Sequence, residues 1–261
     1  MELLLGFAAG ALIALVTTPV GVSGAVFLLP VQLSVLNVPN PAVTPTNLLF
    51  NVIAGPGALV RYHRHGQLVG GLTRLLIAGT LPGVVAGALI RVFAVPGPTV
   101  FRVLVGLLLL PLGVWLCVRT LRPRLNKAGE PSRRFVGTLA LGVGVVGGIY
   151  GIGGGSILGP ILVGRGMPVA QVAPAALAST FLTSVVGAGT YAVLSLTVPG
   201  DIAPDWTLGV TCGLGGLVGG YLGARLQPRF PEKALRLVLG ALATTLALLY
   251  LCGAAIQTAA T

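Results

Sequence analysis

The sequence predicts an all-α, polytopic integral membrane protein made of two inverted repeats. Each repeat is a broken, re-entrant helical hairpin followed by three transmembrane helices. Three observations carry this reading. Of 261 residues, 55% are hydrophobic and only 8% are charged, against about 25% charged in a soluble domain. So little polar material cannot cover a soluble particle of this size. Six apolar segments approach the roughly 20 residues that cross a bilayer. The order of glycines, prolines and arginines also recurs between the halves.

The elements follow in chain order. "MELLLGFAAGALIALV" has no basic residue ahead of its apolar run, so a first membrane element is expected rather than a cleaved leader. Leu3 to Leu36 is broken around Pro19 and Gly21 to Gly24. Three spans then follow, Val43–Val60, Leu72–Ile90 and Val100–Val118. A basic link, "RTLRPRLNKAGEPSRR" (119–134), divides the chain into a first repeat, 1–118, and a second, 135–261. Phe135 to Val163 is broken around Gly151 to Gly155, into arms of about 15 and 12 residues, or roughly 22 and 18 Å as helices. Neither arm comfortably crosses about 30 Å of hydrocarbon. The last three spans are Val172–Val198, Trp206–Leu226 and Ala234–Gly253.

The repeat goes beyond hydropathy. Gly21 and Pro30 precede Gly151 and Pro160 by 130 positions, and Pro39, Val43 and Pro45 precede Pro168, Val172 and Pro174 by 129. Gly79, Arg91, Arg102 and Gly106 precede Gly213, Arg225, Arg236 and Gly240 by 134. With the link in the cytoplasm and each hairpin returning to its own side, every copy crosses three times and the second copy is inverted. The cytoplasm then receives 14 of the 16 Lys and Arg residues, leaving Arg91 and Arg102 outside. The positive-inside rule favours this arrangement over parallel copies. It places both termini outside a plasma membrane, the inner membrane of a bacterium.

Glycine runs in lipid-embedded backbone permit left-handed dihedrals and close approach. A helix restarting after such a turn presents N–H donors and the positive end of its dipole, which favour an anion. The candidate binding residues are therefore Gly21, Ser23 and Gly24 in the first turn, and Gly151, Gly153, Gly154, Gly155 and Ser156 in the second. Polar side chains at membrane depth join them: Asn47 and Asn51, four apart on one helical face, and Ser179 and Thr180, of which Thr180 aligns with Asn51. Gly79, Gly83 and Gly87, like Gly215, Gly219 and Gly223, read instead as helix-packing stripes.

Other functions lose ground. The net charge of +11 sits in short loops and not on a folded polar surface, so nucleic acid is not an expected partner. All five acids, Glu2, Glu130, Asp201, Asp205 and Glu232, fall in loops or at ends, leaving no buried carboxylate for a cation or a proton relay. Cys117, Cys212 and Cys252 are scattered through apolar segments and read as small lipid-buried side chains. His63 and His65 flank Arg64 in a basic turn. "GVGVVG" (142–147) follows no strand and is a chance match to the dinucleotide fingerprint. With no nucleophile–base pair or metal cluster, neither catalysis nor a cofactor is expected.

"GIGGGSILGP" and its degenerate echo "GVSGAVFLLP", with "MPVAQVAPAALAST" and "LRLVLGALA", resemble the sulfite exporter TauE/SafE family of membrane permeases over nearly the whole chain. The resemblance implies transport of a small anion such as sulfite or a sulfonate. One departure is that Ser23 and Ala25 stand where the second copy has Gly153 and Gly155. The expectation is a secondary transporter with its site at the paired turns near the midplane, one repeat rocking against the other. An anion channel of the same fold is the alternative. Its partners are the anion and the lipid bilayer, with room for proton coupling and a homodimer.

Overall fold

The computed structural model describes residues 2–66, 68, 70–94, 98–121, 131–198 and 202–259. Among them the regular structure is helical throughout, as expected. The helices are α1 (Glu2–Thr17), α2 (Ala25–Ser34), α3 (Asn40–Arg64), α4 (Gly71–Phe93), α5 (Pro98–Leu121), α6 (Arg133–Tyr150), α7 (Gly155–Gly164), α8 (Val169–Thr197), α9 (Trp206–Leu226) and α10 (Glu232–Ala259). The middle of the basic link, 122–130, lies outside the described residues.

Local chemistry sets the boundaries. Ser132 caps α6 by accepting the Phe135 N–H at 3.3 Å, and Asp205 caps α9 by accepting the Leu208 N–H at 2.9 Å. α3 and α8 each start directly after a proline, Pro39 and Pro168, which cannot extend a helix backwards. Gly151 ends α6 in the left-handed conformation.

Six segments are long and apolar enough to cross a membrane: Glu2–Val20, Ala42–Arg64, Gly71–Phe93, Val169–Thr197, Trp206–Arg229 and Lys233–Gly253. The chain is a multi-pass integral membrane protein. The hairpin arms are less equal than the sequence suggests. α1 continues through a 3-10 turn to Val20, giving 19 residues, and α6 has 18, each about 27 Å or more. α2 and α7 have 10 residues each, about 15 Å. Each hairpin thus has one nearly full-length arm and one half-length return.

The order of contacts along each pair gives the helix directions. Gly209, Gly213 and Leu217 of α9 meet Leu49, Ile53 and Gly57 of α3 in turn, so these two run parallel. α1 joins them, with Phe7, Ala11 and Leu15 lying against Gly215, Gly219 and Gly223. In a second group, Gly79, Gly83 and Gly87 of α4 meet Ala140, Gly144 and Gly148 of α6, again in parallel. α8 follows α4, with Ser179 at Thr80 and Gly187 at Val84. The groups face each other antiparallel: α3 brings Leu48 to Gly187 and Gly55 to Phe181 of α8. α5 and α10 form an antiparallel pair, Gly106 against Leu251 and Gly113 against Thr244. The glycine stripes serve as the expected packing surfaces, because a missing Cβ lets backbones touch where lipid offers no competing hydrophobic drive. Their partners are less expected: α1 packs on α9 and α6 on α4, so each hairpin is held by a span from the other half.

Both short arms double back. Gly153, Gly155 and Gly159 meet Thr180 and Ala176 while descending along α8, so α7 runs against α6. In the first half, Asn47 Nδ2 donates to the Ala25 carbonyl at 2.8 Å, and α2 returns toward the start of α3.

Candidate functional site

The two turns are seated reciprocally. Gly21 has φ +78° and Gly151 φ +69°, a region L side chains rarely adopt. A Cβ on Gly21 would lie 2.5 Å from Ala173 Cα, and one on Gly151 would collide with the Thr44 carbonyl oxygen. Ala173 follows Thr44 by 129 positions. Each turn therefore rests on the other half's post-hairpin helix, at the same repeat position.

Buried polar groups stitch the turns together. Ser23 donates its N–H to Ser156 Oγ at 3.3 Å and its hydroxyl to Asn51 Oδ1. Asn51 Nδ2 donates to the Gly151 carbonyl at 3.4 Å, so one amide bridges Ser23 of the first turn and Gly151 of the second. Ser23 Oγ accepts the Ala25 N–H at 3.1 Å, and Ser156 donates to the Ile152 carbonyl at 2.8 Å. On the far side, Gly154 N–H donates to Thr183 Oγ1 at 3.1 Å, and Thr80 Oγ1 and Ser179 Oγ share a hydrogen bond of 2.9 Å.

All twelve residues singled out from the sequence are buried, and the structure gathers them around this junction. Gly24 lies against Phe50 and Ile13, Gly153 and Gly155 against Thr180, and Gly154 against Thr80. Thr180 Oγ1 and Asn47 Oδ1 are buried with no partner among the described residues. Beside the first turn lies a cavity of about 30 Å³, whose lining includes Thr18, Ser23, Gly24, Asn51, Thr180 and Phe181. It has room for one or two waters.

Some N–H groups expected to face an anion are capped by side chains here: Gly154 by Thr183, Ser23 by Ser156 and Ala25 by Ser23. Hydroxyl oxygens thus occupy these turn donors.

Thr80 and Arg91 join this junction without a sequence signal, and Thr183 joins it from the polar run "APAALASTFLTS". Thr80 sits in α4 within "AGTLPG", where a lone threonine in an apolar span resembles a self-satisfied hydroxyl; it does donate to the Leu76 carbonyl at 2.8 Å. Thr183 belongs to the same hydroxyl run as Ser179 and Thr180, and a spacing of three or four from them was the available signal. Arg91 was expected in an outer loop. Instead it is 4% exposed in the last turn of α4, with Nε 3.5 Å from Thr44 Oγ1. Its position at the end of an apolar run looks like a boundary cation, and only packing by α3 and α8 buries it. His63 and His65 are exposed, as read from their basic turn.

The model of the sulfite exporter TauE/SafE family matches residues 5–250. No curated protein and no solved structure matches the chain.

Proposed function

Since the chain belongs to the sulfite exporter TauE/SafE family, a family of membrane permeases, we propose that it is a secondary carrier of a small sulfur oxyanion or sulfonate, with its site at the paired turns. The observation that carries this reading is the Asn51 amide joining Ser23 to the Gly151 carbonyl in a buried, carboxylate-free junction. Neutral donors and backbone N–H groups suit an anion without trapping it. Gly21, Ser23, Gly24, Asn47 and Asn51 would line one wall, and Gly151, Gly153, Gly154, Gly155, Ser156, Ser179 and Thr180 the other.

The halves 1–118 and 135–261 are read as inverted copies joined by the basic link, in a bacterial inner membrane with both termini outside. The opposite directions of α3 and α8, and of α5 and α10, support that reading. The moving bodies need not be the sequence halves. Because α1 is locked to α9 and α6 to α4 by backbone contact, we take α1, α3 and α9 as one body and α4, α6 and α8 as the other. Alternating access is then motion between these bodies along the α3–α8 seam. Basic residues on the cytoplasmic side would raise the local anion concentration.

Reconstituted vesicles test the carrier. Sulfite, a sulfonate and a carboxylate are compared with and without a pH gradient, and saturable flux accelerated by counter-substrate is expected. Gradient-independent, non-saturating flux would favour the channel, and no flux of any anion would overturn the reading. Loss of all flux in Gly153→Leu, whose side chain would enter Thr180, is expected of a site at this turn.

A further inference from the structure

We propose that Arg91 binds the transported anion at the end of the site that faces the α8–α9 link, making the two ends of the carrier unequal in affinity. The proposal rests on the carrier reading above.

A cation buried within a membrane-spanning helix is costly and marks an ion pathway. Arg91 is such a residue, 4% exposed. Its surroundings lead straight to the second turn. Arg91 Nε is 3.5 Å from Thr44 Oγ1, and that hydroxyl donates to the Ile149 carbonyl at 3.2 Å. The Thr44 carbonyl in turn seats Gly151. The Tyr150 and Tyr191 side chains lie within electrostatic reach of the guanidinium, and Tyr191 Oη donates to the Gly148 carbonyl at 2.9 Å. One turn before Arg91 on α4, Ala88 packs with Leu48, Tyr191 and Ile202. Ile202 belongs to the α8–α9 link, so the end of α4 that carries Arg91 lies beside that link. A planar guanidinium presents paired donors to the oxygens of a sulfur oxyanion.

The other end is built differently. The repeat counterpart of Arg91 is Arg225, which is exposed, and that of Thr44 is Ala173, which has no hydroxyl. There the buried cation is Arg236 of α10, 8% exposed and donating to the Met167 carbonyl at 3.4 Å, and no hydroxyl stands at the position that seats Gly21. An anion entering past the α8–α9 link meets a guanidinium bonded to the residue that seats Gly151, whereas at the opposite end the buried guanidinium of Arg236 is held by the Met167 carbonyl.

The test uses the full chain in vesicles of known orientation, with sulfite and methanesulfonate as probes offered from each face. Arg91→Gln should raise KM from the α8–α9 face about tenfold or more and from the other face less than about threefold. Arg91→Lys should recover most of the loss, and Arg225→Gln should show no such asymmetry. Should Arg91→Gln not fold, Arg91→Lys is compared between faces, with a rise above about twofold expected at the α8–α9 face alone. Equal effects at both faces, or a lowered melting temperature with unchanged KM, would make Arg91 a packing residue and overturn the inference while the carrier stands. Wild-type vesicles that move neither probe would overturn the carrier and this inference together.

Discussion

Gly151 sits against the backbone carbonyl of Thr44, a residue of the opposite half of the chain, in a left-handed conformation that no side chain could share with that contact. Gly21 and Ala173 repeat the relationship in the other direction. Gly151→Ala should therefore cost about 2–4 kcal/mol, from backbone strain and overpacking together. Gly66 makes a control: its φ is +67° but nothing lies within 4 Å of a Cβ there, so Gly66→Ala should cost only the conformational part, about 1 kcal/mol. Thermal unfolding in detergent compares them. Equal melting temperatures would mean the cross-half contact carries no stability.

Asn51 is the amide that joins the two turns. Asn51→Leu preserves approximate volume and strands the Gly151 carbonyl and the Ser23 hydroxyl, and sulfite flux should fall about tenfold or more. Asn51→Thr, copying the residue at the matching position of the second half, should retain part of it. Should Asn51→Leu transport like the wild type, the amide bridge is no part of the site.

Thr183 accepts the Gly154 N–H at 3.1 Å while donating to the Ser179 carbonyl at 2.7 Å. Thr183→Val leaves a buried donor unmet, at about 1–2 kcal/mol, whereas Thr183→Ser keeps the acceptor. The serine variant should melt close to the wild type and the valine variant well below it. Indistinguishable melting of the two would show that the methyl, and not the hydroxyl, matters at this position.

The proposed moving bodies can be tested with two cysteine pairs of matched geometry, after Cys117, Cys212 and Cys252 are replaced by alanine. A Cβ at Gly55 lies 3.3 Å from Phe181 Cβ across the α3–α8 seam, and one at Gly209 lies 3.4 Å from Leu49 Cβ within one body. Both are near disulfide range. Oxidation of Gly55→Cys with Phe181→Cys should stop flux reversibly, and oxidation of Gly209→Cys with Leu49→Cys should leave most of it. Arrest by the second pair would refute the assignment of α3 and α9 to one body.

Much of this molecule was legible in its residues. Hydropathy marks the spans because bilayer thickness sets their length. The break at Gly151–Gly155 could be read because consecutive glycines have no use in a helix that packs on one face, and that at Gly21–Gly24 because Gly21 and Pro30 echo Gly151 and Pro160. Asn47, Asn51 and Thr180 stood out because polar side chains at membrane depth are costly and so are functional candidates by default. That echo apart, these signals are local: they depend on what each residue is and on its near neighbours along the chain.

Partnership was not local. Nothing in "TPTNLLFN" says that Thr44 will carry Gly151, or that Asn51 will reach both Ser23 and the Gly151 carbonyl, 28 and 100 positions away. Glycine stripes announce that a helix packs closely but not on which helix, since any smooth backbone fits another. The exchange of α1 and α6 between the halves therefore came only from the assembled fold. So did the burial of Arg91, which along the chain looks like a boundary cation and in three dimensions is enclosed beside Thr44, Tyr150 and Tyr191. Chain order sets length and polarity, while which surfaces cover one another depends on the packing of the whole bundle.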